Sequence, residues 1–228
     1  MSVTSEIARA RSLIRVVPDH PSPGVAFQDI TPLLADARAL RECVEALVAP
    51  FEGRFDLVAG LEARGFLLAG AAAVLTGTGL VPLRKAGRLP APAARADYTL
   101  EYGTASIEVS EDLRAGSRVL LLDDVLATGG TLIEAIRFLY ERGAARVTCI
   151  CLLVAPEGVA NLEQGLEGLA LCSVHEIANP HTVVGTVDHR DPITRSDAAD
   201  VMNAQVGAGV AAFGEPFHPL GLGGPECE

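Results

Sequence analysis

The sequence predicts an α/β fold built on a doubly wound, mostly parallel sheet. Four runs, 55–60 (FDLVAG), 80–83 (LVPL), 118–124 (RVLLLDD) and 146–154 (RVTCICLLV), are apolar along their length rather than alternating, as in strands buried on both faces. Helical segments separate them, the order that winds helices over both faces of one sheet. Hydrophobic residues make up 49% of the chain, yet there are only 7 Phe, 3 Tyr and no Trp. The core must therefore consist of Ala, Leu and Val, which suits a helix-covered sheet better than an aromatic-rich sandwich. At roughly 150 residues per domain, 228 residues make one domain with room for an appendage.

Ile7, Ala8, Leu13 and Ile14 recur at helical spacing and predict a first amphipathic helix. Pro18, Pro21, Pro23 and Gly24 then predict an irregular segment up to Asp29. Asp36 is placed to cap a helix carrying Leu40, Val44, Leu47 and Val48, which Pro50 ends. Strand 55–60 leads to an Ala-rich helix over 66–75, and strand 80–83 follows. Residues 84–97, rich in Pro, Gly, Ala and Arg, predict an exposed loop, and 98–109 a small hairpin turning near Gly103. Strand 118–124, helix 132–139, strand 146–154, a helix around 159–164 and a strand around 169–174 complete the pattern. Beyond residue 177 the periodicity fades, so 1–177 is expected to form the domain and 178–228 a C-terminal extension.

Charge and cysteine usage narrow the function. With 18 basic and 29 acidic residues the net charge is −11, without the basic face a nucleic-acid binder needs. The five cysteines are an odd number, and most sit in apolar runs rather than at framework spacings. Cys149 and Cys151, two apart on one strand, should face the same side as small core residues in a reducing compartment. His181, His189 and His218 match no metal spacing. No secretory signal is visible, and the most apolar stretch, 66–83, is broken by glycines and Pro82, so a soluble cytoplasmic protein without a membrane span is expected.

The segment 119–131 (VLLLDDVLATGGT) carries the chemistry. In an open α/β sheet ligands bind beyond the carboxyl ends of the strands. Here a strand delivers Asp123 and Asp124 to that edge, and Ala127, Thr128, Gly129, Gly130 and Thr131 lead into a helix. Small residues let backbone N–H groups approach an anion, and the helix N-terminus adds partial positive charge. Two carboxylates suited to sugar hydroxyls therefore stand beside phosphate donors, a combination that fits a phosphorylated ribose. A capping box of Thr131 and Glu134 would account for those two residues alone. It leaves unexplained two carboxylates at the end of a buried strand, which are costly without partners.

DDVLATGGT resembles the phosphoribosyl-pyrophosphate (PRPP) motif of the type I phosphoribosyltransferases. Three further segments resemble the adenine phosphoribosyltransferase branch: PSPGVAFQDIT (21–31), GLEARGF (60–66), and RKAGRLP (84–90) followed by YTLEYG (98–103). The resemblance implies that fold, with residues 84–109 forming a flexible hood. It implies that Asp123 and Asp124 bind the ribose hydroxyls, and that residues 127–131 hold the 5-phosphate. Ala63 and Arg64 would form the pyrophosphate loop, with Arg64 also catalytic, and Arg84, Lys85 and Arg88 would close over the pyrophosphate. Glu101 would be the acid/base group on the purine, and Tyr102 would help close the lid. Ala26, Phe27, Gln28 and Val125 would meet the base. Ala26 and Gln28 stand where a larger aliphatic residue and Arg are usual, and VAPEGVANLE (154–163) is similar to uracil-type relatives instead. Mg²⁺ would arrive with PRPP rather than in a protein cage. The implied partners are PRPP, a nucleobase and a second copy of the chain. Hypoxanthine, guanine, xanthine or uracil transfer, and a non-catalytic PRPP-sensing regulator, stay open beside adenine transfer.

Overall fold

The computed structural model describes residues 9–100, 103–166, 170–172 and 184–188. An eight-stranded sheet runs in the order β5-β6-β4-β3-β7-β8-β10-β9. Its centre is parallel: β3 (Leu57–Leu61) lies between β4 (Gly79–Lys85) and β7 (Arg118–Leu126), and β7 pairs with β8 (Arg146–Val154). Both flanks are antiparallel. On one side β6 (Gly103–Val109) pairs with β4 and with β5 (Ala94–Leu100). On the other, β10 (Val184–Asp188) lies between β8 and β9 (Ala170–Cys172).

The uninterrupted apolar strands bury both faces, and successive side chains of one strand enter opposite cores. Val119 and Leu121 of β7 join one core, while Leu120 and Leu122 join the other. The first core is covered by α4 (Gly130–Glu141) and α5 (Pro156–Gly165), through residues such as Leu132, Ile136 and Leu162. The second is covered by α2 (Ala37–Val48), α3 (Gly65–Thr76) and Leu33 of the short α1 (Thr31–Ala35). Cys149 and Cys151 face the same core, as their spacing predicts. Asp36 caps α2 by accepting the N–H groups of Arg38 at 3.1 Å and Ala39 at 2.9 Å. That helix ends where Pro50 enters a 3₁₀ turn (Ala49–Phe51).

Three stretches differ from the sequence reading. The segment up to Asp29 is not wholly irregular, because β1 (Arg15–Val17) and β2 (Phe27–Asp29) pair as a separate antiparallel ribbon. Residues 84–97 are not one exposed loop. Arg84 and Lys85 end β4, opposite Glu108 and Ile107 of β6, and Ala94–Asp97 begin β5. The small side chains of Ala94 and Ala96 hide an inward-facing alternation with Arg95 and Asp97. The sheet also takes in β10, beyond residue 177, where antiparallel pairing with β8 supplies an order the local sequence does not advertise. Ile7 and Ala8 of the expected first helix lie outside the described residues, though 9–12 are helical.

Candidate active site

Parallel strands deliver their carboxyl ends to one edge, and a cleft of about 720 Å³ opens there, between β3, β7 and the β5–β6 hairpin. Asp123, Asp124 and Val125 line it from β7, followed by the loop from Ala127 to Thr131. Gly129 is the N-cap residue of α4, in left-handed conformation with φ of 85°, and no side chain caps the helix. The expected alternative, a Thr131–Glu134 capping box, is therefore not formed. Instead the first N–H groups of α4 lack side-chain partners at the cleft wall, where orphan donors and helix dipole suit an anion.

The acid pair is strongly asymmetric. Asp124 is 4% exposed, whereas Asp123 is half-buried as a residue and its Oδ1 accepts the Asp124 N–H at 2.8 Å. Burial and the neighbouring Asp124 charge raise the Asp123 pKa well above the usual carboxylate range, against the lowering effect of that N–H and of Arg64. Arg64 Nε lies 2.8 Å from Asp124 Oδ2, an ion contact, but its N–H is not aimed along a hydrogen bond. Asp124 Oδ2 is thus buried with a cation beside it and no hydrogen-bond donor, which leaves it able to accept from a ligand hydroxyl.

Arg64 connects this end of the cleft to the N-terminal ribbon. Its guanidinium lies 4.9 Å from the Phe27 ring centroid, a cation–π contact, and Nη1 donates to the Gln28 carbonyl at 3.4 Å. Phe27 and Gln28 do not line the cleft themselves and meet it through Arg64, and the exposed Ala26 is not part of its wall. Ala63 and Lys85 do line it. Arg84 and Arg88 do not: Arg84 Nη2 donates to Glu62 Oε1 at 3.3 Å, and its guanidinium sits 5.9 Å from the Phe66 ring. Glu101 and Tyr102 lie outside the described residues.

Two carboxylates that the sequence reading did not single out organise the basic segment. Glu62 accepts the Lys85 N–H at 2.7 Å; burial would raise its pKa, but this bond and Arg84 together lower it. Glu108, only 4% exposed, accepts the N–H of Gly87 at 3.0 Å and, more weakly, that of Leu89 at 3.5 Å. A glutamate in the alternating strand SIEV resembles a surface carboxylate. Only the turn opposite it, AGRLP, which has no side-chain acceptor of its own, hints that unpaired N–H groups need one. Tyr98 and Ser106 of the hairpin also reach the cleft. Among the described residues no group of three or more His, Cys, Asp or Glu is arranged to hold a metal ion, and no helix is long and apolar enough to cross a membrane.

A mixed sheet with paired carboxylates and an uncapped helix start at its carboxyl edge defines a phosphate- and sugar-binding α/β domain. The model of the phosphoribosyl transferase domain matches residues 28–177, and the chain belongs to that family. An adenine phosphoribosyltransferase of Arthrobacter sp. (strain FB24) is 60% identical over 137 residues, 60% of this chain and 74% of the relative. One from Cereibacter sphaeroides is 46% identical over 168 residues, 72% of this chain and 94% of that protein. Among solved structures, adenine phosphoribosyltransferase from Rhodothermus marinus superposes with a TM-score of 0.65 at 40% identity, over 71% of this chain and 92% of that one. The Giardia lamblia enzyme complexed with 9-deazaadenine gives 0.66 at 33% identity, over 80% and 96%.

Proposed function

We propose that this protein is a purine-salvage enzyme that transfers the 5-phosphoribosyl group from PRPP to adenine, yielding AMP and pyrophosphate. The observation that carries this reading is the placing of Asp123, Asp124 and the uncapped start of α4 on one cleft. In this reading Asp123 and Asp124 accept the ribose hydroxyls, and the N–H groups of 127–131 hold the 5-phosphate. As the C1–O bond breaks, pyrophosphate leaves with its electron pair, and the two carboxylates stabilise the oxocarbenium character at C1. The adenine nitrogen forms the new bond to C1, and Glu101 takes its proton while Tyr102 helps close the hairpin. Arg64 and Lys85 face the leaving pyrophosphate at the cleft wall. Arg84 and Arg88 add positive charge from behind it.

Magnesium would arrive on the PRPP oxygens, and Asp124 Oδ2, buried beside Arg64 without a hydrogen-bond donor, would accept a ribose hydroxyl or an ion-bound water. When bound, magnesium would supply charge neutralisation for the departing pyrophosphate. Val125 supplies apolar surface for the base from the cleft wall, and Phe27 acts through Arg64, whose guanidinium stacks on its ring. We further assign the protein to the cytoplasm, in keeping with its buried free thiols Cys43, Cys149 and Cys151, and to a homodimer.

Incubating the full chain with PRPP, Mg²⁺ and separate bases tests the assignment, with nucleotide formation read by chromatography. Adenine should give AMP and one equivalent of pyrophosphate. Product only from hypoxanthine, guanine, xanthine or uracil would replace adenine as the substrate, and PRPP binding without product from any base would leave a regulator.

A further inference from the structure

Helix α5, part of the segment similar to uracil-type relatives, has no role in the chemistry above. It lies directly behind the phosphate loop. The Ala155 N–H donates to the Leu126 carbonyl at 2.8 Å, and Asn161 Nδ2 donates to the Thr128 carbonyl at 3.0 Å. Between these bonds the two backbones touch. A Cβ at Gly158 would fall on the Ala127 carbonyl oxygen, well inside van der Waals contact, and one at Gly129 would stand 3.1 Å from the Gly158 oxygen.

The geometry of a trans peptide turns these contacts into an orientation. Its C=O and N–H point in opposite directions across the C–N bond. The carbonyls of Leu126 and Thr128 are held back toward α5, so the N–H groups of Ala127 and Gly129 turn the other way, toward the cleft both residues line. The first of these restraints is backbone to backbone. The second depends on one side chain.

We propose that Asn161 is a positioning residue: its amide holds the Thr128–Gly129 peptide so that the Gly129 N–H faces a bound phosphate monoester. This rests on the phosphoribosyl-transfer reading. Asn161 is exposed on α5 and does not line the cleft; it acts through the loop. Its loss should weaken recognition of the 5-phosphate while leaving the base end unaffected.

Ribose 5-phosphate titrated calorimetrically into the full chain supplies a readout independent of turnover. Asn161→Ala should weaken that affinity about fivefold, the effect of one modest hydrogen bond, and raise KM for PRPP by a similar factor. The KM for adenine and the melting temperature should stay at the wild-type values. Asn161→Asp keeps the shape but presents an acceptor to the Thr128 carbonyl, and should weaken binding further. Unchanged ribose 5-phosphate affinity in both variants overturns the inference alone. Equal losses in adenine KM and melting temperature also overturn it, by reducing Asn161 to a general packing role. A wild-type chain that does not bind ribose 5-phosphate overturns the functional reading and this inference with it.

Discussion

Asp123 stands where two effects push in one direction. Its burial penalises the carboxylate, and the adjacent Asp124 charge penalises it again, which carries its pKa from 3.8 up to about 8 against the opposing Asp124 N–H and Arg64. On that shift, Asp123 of the ligand-free protein should carry a proton near neutral pH. A ribose hydroxyl donates best to an ionised carboxylate, so ligand binding should expel that proton. Calorimetric titration of PRPP near pH 7 in buffers of different ionisation enthalpy should reveal proton release, and Asp123→Asn should abolish it. Affinity should rise with pH until Asp123 is ionised in the free protein. Stability runs the other way. The folded chain holds this proton more tightly than the unfolded one, so Asp123 favours folding below its unfolded value, and that contribution is lost as pH climbs through the folded value. The Asn variant should flatten this part of the pH–stability curve. Buffer-independent binding heats in the wild type would refute the shared proton.

At the scale of elements, the turn between β4 and β5 depends on a carboxylate borrowed from β6. Glu108 lies opposite Arg84 in the β4–β6 register and takes the N–H groups of Gly87 and Leu89 from a turn that has few other acceptors. Glu108→Gln preserves the volume but turns an NH₂ donor toward one of these N–H groups. Leaving a buried donor unsatisfied should cost about 1–3 kcal/mol, seen as a lower urea midpoint, with faster amide exchange at Gly87 or Leu89. A wild-type midpoint in this variant would show that the bonds hold nothing in place. The same element shows where the sequence stops being readable. Strands β3, β7 and β8 announce themselves because burial on both faces leaves only apolar residues along them, and α2 because Asp36, its apolar stripe and Pro50 agree. The acid pair and the small-residue loop are local as well, so that half of the cleft is legible. Strand β5 is obscured because Ala94 and Ala96 carry too little apolar surface to mark an inward face. β1 and β2 are three residues each and are ordered only by pairing with one another across the Pro-rich loop, and β10 owes its order to β8, more than thirty residues earlier. Glu62 and Glu108 escape notice for the same reason: a carboxylate on a strand, or just past its end, looks solvated until the N–H groups facing it are known.

For the whole molecule, the unbalanced feature is α3. Its sequence, GFLLAGAAAVLT, is apolar around the entire circumference, yet the sheet covers only one side. Leu68, Ala69, Ala72 and Ala73 are buried against β3 and β7, while Leu67 is 53% and Val74 86% exposed, seven residues apart and so on one face. A helix hydrophobic all round belongs in an interior, and a second copy of the chain would supply that interior here. Neither Leu67 nor Val74 lines the cleft, so the outer face of α3 can be altered without replacing a residue of the cleft wall. Leu67→Glu combined with Val74→Glu should therefore convert a dimer to a monomer in sedimentation velocity while preserving the far-ultraviolet circular dichroism of the fold. Because each dimer contact is made by both copies of a symmetric pair, two substitutions place four new carboxylates at the interface of a chain already at −11, and repulsion adds to the lost apolar burial. Raising salt should then recover part of the association in the variant, since the screening length shrinks from about 10 Å at 0.1 M to about 3 Å at 1 M. A wild-type chain that sediments as a monomer over the whole accessible concentration range would refute the dimer, and a variant that stays dimeric would place its contact away from the outer face of α3.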